Sequence, residues 1–200
     1  GWFRNEIKSL NDFRGLKMRM PGLGAEVINR MGATAVSMPG GEIMPSLESG
    51  AIDATEWVGP YNDLAFGFYQ VAKYYYGPGF HEPGTQAECM VNKEEYDKLP
   101  KHLQKIVEHA SVSENNKMLA EFTYGNSSAQ RKLVDTHGVI MNNFPKEVYD
   151  TMFKISEEVV AETANDGEIN KKIYNSWIKF KEDVRVRAPY AEQGYMERRG

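Results

Sequence analysis

Between Leu16 and Thr55 the chain alternates short tracts of two-residue apolar period with tracts of helical period, and this alternation constrains the fold more than any other feature. Leu16, Met18 and Met20 alternate with Lys17 and Arg19, the pattern of a half-buried strand, and Pro21-Gly22 ends it. Ala25 to Met31 reads as a helix with Val27, Ile28 and Met31 on one face, and Gly32 stands where a left-handed stop belongs. Ala33 to Met38 is strand-like again, Pro39-Gly40-Gly41 is a loop, and Glu42 to Ser49 forms a second helix before Gly50. Ala51 to Thr55 makes a third strand. A strand-helix-strand-helix-strand unit predicts parallel strands joined by right-handed crossovers, hence an α/β fold.

That topology points to a place for function, because ligands of open α/β sheets bind outside the carboxyl ends of the strands. Arg19 ends the first strand, the Pro39-Gly40-Gly41 loop follows the second, and Glu56-Trp57 follows the third. An Arg on the polar side of a strand is ordinarily a solvated charge. At a strand end before Pro-Gly it can instead present a planar guanidinium to a carboxylate through two parallel hydrogen bonds. Glu56 can pair with a neighbouring cation or bind a metal; oxygen donors of this kind suit a hard ion such as sodium or calcium rather than zinc. Trp57 reads as a packing or pocket-wall residue.

The second half is helical. Leu99-Pro100 opens an amphipathic helix through Leu103, Ile106 and Ala110. Pro145 opens a tract carrying Val148, Met152, Ile155 and Val159, resumed by Ile169, Ile173, Trp177, Phe180 and Val184, with Asp166-Gly167 as its interruption. Unbroken, Val148 to Val184 would run about 55 Å and would have to span two lobes or pack on another subunit. Arg185 to Gly200 reads as an irregular tail.

Composition excludes several classes. Lys and Arg number 24 against 28 Asp and Glu, a net charge of −4 that gives no field for polyanions, so nucleic acid is not an expected partner. The longest uncharged run, around Val58 to Ala72, is broken by Pro60 and Asp63 and falls short of a membrane span. The single cysteine, Cys89, reads as an inert, buried thiol. His81-Glu82 lacks a second His at metalloprotease spacing, His102 and His109 share one helix face and read as exposed, and Arg-Met-Pro-Gly-Leu-Gly misses the dinucleotide fingerprint. No Ser-His-Asp, Cys-His or carboxylate-dyad pattern marks a catalytic residue. The chain begins at Gly1 without a basic-then-apolar leader, so any export signal is expected to have been removed or never included.

The run KMRMPGLGAEVINRMGATAVSMPGGEIMPSLESGAIDATEWVGPYNDLAFGFY, continued by YYYGPGFHEPG and VNKEEYDKLP, resembles the solute-binding subunits of tripartite ATP-independent periplasmic (TRAP) transporters. The likeness is to the branch that binds 2-oxo acids such as pyruvate, or lactate, with a metal ion. It implies a two-lobed periplasmic-binding-protein fold of type II-like topology, of which this chain is the carboxyl-terminal part with a long terminal helix. Residues 1–78 would be the ligand-binding unit of the second lobe, 79–135 a segment returning to the first lobe, and 136–200 the hinge-spanning and long C-terminal helices with the tail.

The same resemblance implies that Arg19 holds the ligand carboxylate, that Glu56 binds sodium or calcium through its side chain, and that Trp57 adds its backbone carbonyl. His81 or Glu82 would approach the ligand from the hinge side. A further metal ligand, typically a Gln, would come from an amino-terminal lobe preceding the Trp2-Phe3 region. Implied partners are a small carboxylate, the membrane subunits of the transporter and a second copy joined through the long helix; the implied compartment is the periplasm. The rival readings are a metal-dependent α/β hydrolase or lyase with Glu56 as base, and a structural dimerisation module.

Overall fold

The computed structural model describes residues 1–82 and 88–199. In chain order the elements are β1 (Trp2–Phe3), β2 (Lys17–Arg19), α1 (Gly22–Arg30), β3 (Thr34–Val36), α2 (Gly40–Ser49), β4 (Ala54–Thr55), α3 (Pro60–Phe66), β5 (Tyr74–Tyr76), α4 (Lys93–Lys98), α5 (Lys101–Asp135), β6 (Ile140–Asn142), α6 (Lys146–Glu162), α7 (Glu168–Arg187) and α8 (Glu192–Arg199). The strands form one mixed sheet of order β3-β2-β4-β1-β5-β6. The three strands of the alternating unit are parallel, as the pattern requires: Met18 pairs with Ala35 on one side and Ala54 on the other. The two helices between them stop on Gly32 and Gly50, at φ of 94° and 76°, a conformation that side-chain-bearing residues rarely adopt.

Two-residue alternation then sorts the core. In β1, Trp2 points to one face of the sheet and Phe3 to the other; in β5, Tyr75 and Tyr76 do the same. The Phe3 face is covered by α1 and α6 through Val27, Ile28, Val148 and Met152. The Trp2 face is covered by α2 and the end of α5 through Ile43, Leu47 and Leu133. Each of these large aliphatic side chains contributes about 1.5–3 kcal/mol by leaving water. Short strands suffice because helices cover both faces.

Three expectations need correction. The tract from Val148 to Val184 is not one rod: Thr163–Asn165 tightens to a 3-10 turn, Gly167 takes φ 135°, and the long terminal helix is α7 alone. A straight helix would separate residues 157 and 181 by about 36 Å at 1.5 Å per residue, whereas Lys181 Nζ lies 3.1 Å from Glu157 Oε1. The tail is helical rather than irregular, since α7 runs to Arg187 and α8 covers Glu192–Arg199; Gly200 lies outside the described residues. Cys89 is exposed, as are its neighbours Glu88, Met90 and Val91. His102 and His109 are exposed as expected.

The longest helix is α5, 35 residues and so about 52 Å. Its carboxyl-terminal third carries the buried Gly125, Ala129 and Leu133, and Tyr61 of α3 lies so close to Gly125 that a Cβ there would fall 2.9 Å from the ring. Leu103 and Ile106, on the apolar stripe anticipated for its first half, are exposed. No helix among the described residues is long and apolar enough to cross a membrane.

Candidate functional site

Parallel pairing of β2 with β4 sets Arg19 opposite Thr55 and brings the next residue, Glu56, to the same sheet edge. The Glu56 amide donates to the Arg19 carbonyl at 3.4 Å, extending the ladder one step past the strand. From that edge the Arg19 guanidinium donates through Nη1 to Glu56 Oε1 and, at 3.3 Å, to the Glu56 carbonyl; Nε donates to the Met38 carbonyl at 3.4 Å. Both residues are only 9 % exposed. The ordinary reading of Arg19 as a solvated charge is thereby overturned, while the expectation of a cation beside Glu56 is met by Arg19 itself. Burial of two opposite charges is tolerable because each neutralises the other and both are hydrogen-bonded.

Trp57 forms the wall. Its ring centroid lies 5.3 Å from the Arg19 guanidinium carbon and 4.9 Å from the Phe66 ring, so the cation is sandwiched between a carboxylate and an aromatic face. Gly40, at the first turn of α2, admits the indole: a Cβ there would stand 2.6 Å from Trp57 Cη2. The loop after the second strand therefore contributes twice, through the Met38 carbonyl and through the missing side chain of Gly40.

His81 reaches the same point from the segment after β5. Its Nε2 is 3.7 Å from Glu56 Oε2, its side chain is 24 % exposed, and its ring lies tilted by 52° against Phe80 with centroids 4.9 Å apart. Glu82 is exposed beside it. Beneath Glu56 and His81 lies an apolar hollow of about 30 Å³ lined by Phe3, Met18, Met20 and Phe144, room for a single water. Pro83 and Gly84 of the quoted HEPG run lie outside the described residues.

Each charged group keeps an atom uncommitted. Among the described residues no hydrogen bond ends on Arg19 Nη2, on Glu56 Oε2 or on the Trp57 carbonyl. One guanidinium donor and two hard oxygen acceptors fit an organic acid together with an oxygen-seeking cation. No three His, Cys, Asp or Glu side chains gather at one point among the described residues, so a cation held by Glu56 and Trp57 needs further oxygen ligands, as a hard ion that also binds its ligand's oxygens does and a closed zinc site does not.

The sequence reading passed over one residue. Asp63, 1 % exposed, accepts from four donors: the Val58 and Gly59 amides at 3.2 and 3.1 Å on Oδ1, and the Trp2 indole and Tyr75 hydroxyl at 2.8 and 3.1 Å on Oδ2. Burial pushes its carboxyl above the usual Asp value, against the pull of the hydrogen bonds, and burial beside Asp63 also raises the Tyr75 phenol. An acidic residue in the first turn after Gly-Pro marks a helix start. Its partners 61 and 12 residues away carry no sequence signal.

With this geometry in view, comparison places the chain among known proteins. Residues 1–166 match the model of bacterial extracellular solute-binding protein family 7 (DctP). A monocarboxylate 2-oxoacid-binding periplasmic protein of Nostoc sp. is 40% identical over 184 residues, 92% of this chain and 50% of the relative. The crystal structure of a TRAP periplasmic solute-binding protein from Pseudoalteromonas atlantica, with bound sodium and pyruvate, superimposes with a TM-score of 0.91 at 38% identity, over 99% of this chain and 60% of that one. A TRAP solute-binding protein from Bordetella bronchiseptica, a mixed-occupancy dimer with copurified calcium and picolinate, gives 0.93 at 40% identity, over 98% and 58%. The chain thus spans about half the length of the curated relative and about three fifths of the solved ones.

Proposed function

We infer the function from one premise: this chain belongs to bacterial extracellular solute-binding protein family 7. Its α/β fold is that of the periplasmic solute-binding proteins of TRAP transporters. We propose that it captures a small monocarboxylate, a 2-oxo acid such as pyruvate or a 2-hydroxy acid such as lactate, together with sodium or calcium. Delivery to the membrane subunits of a TRAP transporter in the periplasm then follows. The observation that carries this is the convergence of Arg19, Glu56 and Trp57 on one edge of the sheet, where among the described residues Nη2, Oε2 and the Trp57 carbonyl oxygen take part in no hydrogen bond.

In this reading Arg19 grips the carboxylate of the acid through Nη2 and whichever of its other nitrogens turns from Met38 or Glu56. Glu56 and the Trp57 carbonyl hold the cation, and His81 lies beside Glu56 at the ligand's edge. A hard cation held there would supply the positive charge that keeps Glu56 from repelling the anion. The Trp57 ring excludes water from the guanidinium, which strengthens the ion pair. No bond of the ligand is made or broken.

Residues 1–78 act as the ligand-binding unit of one lobe. Residues 79–135 lead back to the other lobe through α5, whose exposed Leu103 and Ile106 face that lobe. Residues 136–200 span the hinge and the terminal helices. Lobe closure buries the acid against the Arg19 edge. A homodimer forms through α7, on which Ile169, Ile173, Trp177, Phe180 and Val184 are 43 to 68 % exposed at helical spacing.

Native mass spectrometry of the freshly purified intact protein tests the reading, through the masses of acid and ion retained together. Incubation with pyruvate and calcium separates the rivals. Unaltered pyruvate with a raised melting temperature supports capture, turnover supports a metal-dependent hydrolase or lyase, and no response favours the structural dimerisation module or a fragment unable to bind.

A further inference from the structure

Asp63 sits where core and site meet. Its Oδ2 is tied to β1 and β5 through the Trp2 indole and the Tyr75 hydroxyl, whose rings stack at 4.4 Å. Its Oδ1 takes the two amides that follow Trp57. The Val58 N–H and the Trp57 C=O belong to one planar trans peptide unit and therefore point in opposite directions. Holding the Val58 N–H on Asp63 turns the Trp57 carbonyl away from the core. A carboxylate on the N–H also polarises the peptide, adding negative charge to the carbonyl oxygen at its other end.

From this geometry we infer that Asp63 is a positioning residue for cation binding: through the Val58 amide it aims and polarises the Trp57 carbonyl that would face the ion. The inference rests on the capture reading above. It gives a reason for burying a carboxylate that, among the described residues, has no cation in hydrogen-bond contact, where an apolar residue would pack at less cost. Gly59 is the N-cap of α3 and its amide belongs to the helix start, which leaves the Val58 amide as the bond by which Asp63 reaches back to the Trp57 peptide. The docked loop follows Thr55 directly, and Thr55 pairs with Trp2 across the sheet, so ion site and anchor share one register.

The probe is terbium, a calcium substitute whose luminescence Trp57 can sensitise, titrated into the intact protein. Asp63→Asn keeps the shape, weakens the bonds from Val58 and Gly59 and sets an amide against two donors. The expected result is terbium affinity at least 5-fold weaker, with circular dichroism unchanged. Tyr75→Phe, which leaves Val58 and Gly59 bonded, should lower the melting temperature while terbium affinity stays within 2-fold. A folded Asp63→Asn protein with unchanged affinity overturns the inference. Should that variant not fold, the wild-type protein decides: adding diamagnetic lanthanum should move the Val58 amide resonance more than those of its neighbours and slow its hydrogen exchange. An unmoved Val58 in a protein that does bind the ion overturns the role of Asp63 and leaves the capture reading intact. Absence of any ion binding by the wild-type protein overturns the capture reading, and this one with it.

Discussion

Arg19 and Glu56 meet twice, once through the backbone, where the Glu56 amide donates to the Arg19 carbonyl at 3.4 Å, and again through the ion pair of their side chains. The ladder sets the distance between the chains, and the side chains inherit it. A cation and an anion of the site, 37 residues apart in sequence, are thus held by the register of one sheet.

Arg19→Lys should weaken pyruvate binding by about 10-fold or more, because a lysine ammonium cannot reproduce the planar fork or the stack on Trp57. Isothermal titration in the presence of calcium measures it. Equal affinity in the two proteins would falsify the role given to Arg19.

Glu56→Gln should remove most of the dependence of binding on calcium or sodium. It should also destabilise the protein, since loss of one partner strands the buried guanidinium at a cost of about 3–5 kcal/mol. Pyruvate titrations with and without chelator, beside a urea melt, separate the effects; chelator-insensitive binding by the unmutated protein defeats the metal assignment.

Gly40→Ala places a methyl group 2.6 Å from Trp57 Cη2. The indole must move off Arg19, with a stability loss of about 1–3 kcal/mol from overpacking. Weaker pyruvate binding with altered Trp57 emission is expected. Retention of both signals shows that the wall is unimportant.

The Arg30–Glu162 pair, at 2.6 Å and 2.9 Å, ties α1 to α6, and the hydrogen bonds from Arg30 hold the Glu162 carboxyl below its ordinary 4.5. A carboxyl lowered in the folded state adds stability above pH 4.5 that disappears as pH falls through the folded-state value. Glu162→Gln should therefore melt slightly lower than the wild type at pH 7, with the gap closing as pH drops below 4.5. A gap independent of pH contradicts the assignment.

Ile173→Asp or Phe180→Asp should convert a dimer to monomer in sedimentation velocity at micromolar concentration without changing helical content, because α7 carries no buried residue in the single chain. A wild-type protein that sediments as a monomer rules out pairing through α7.

Periodicity made the parallel unit, its glycine stops and the strand-end positions of Arg19 and Glu56 legible, because these depend on local backbone preference and on a topological rule that any such unit obeys. The break of the terminal tract was visible as Asp166-Gly167, but not the angle it makes, which depends on what α7 packs against. Cys89 is exposed because burial is a property of neighbours rather than of residue type, and the tail is helical although Pro189 and Gly194 disfavour a helix locally.

Residue order alone thus determined which charged and aromatic groups reach the carboxyl edge of the sheet. Tertiary structure decided how they are used: that Arg19 leaves solvent to lie between Glu56 and Trp57, that Gly40 makes room for the indole, and that Asp63 docks the loop on Trp2 and Tyr75. Those outcomes require groups 12 to 61 residues apart to meet within hydrogen-bond or van der Waals distance. Such meetings follow from sheet register and close packing, which no local pattern encodes.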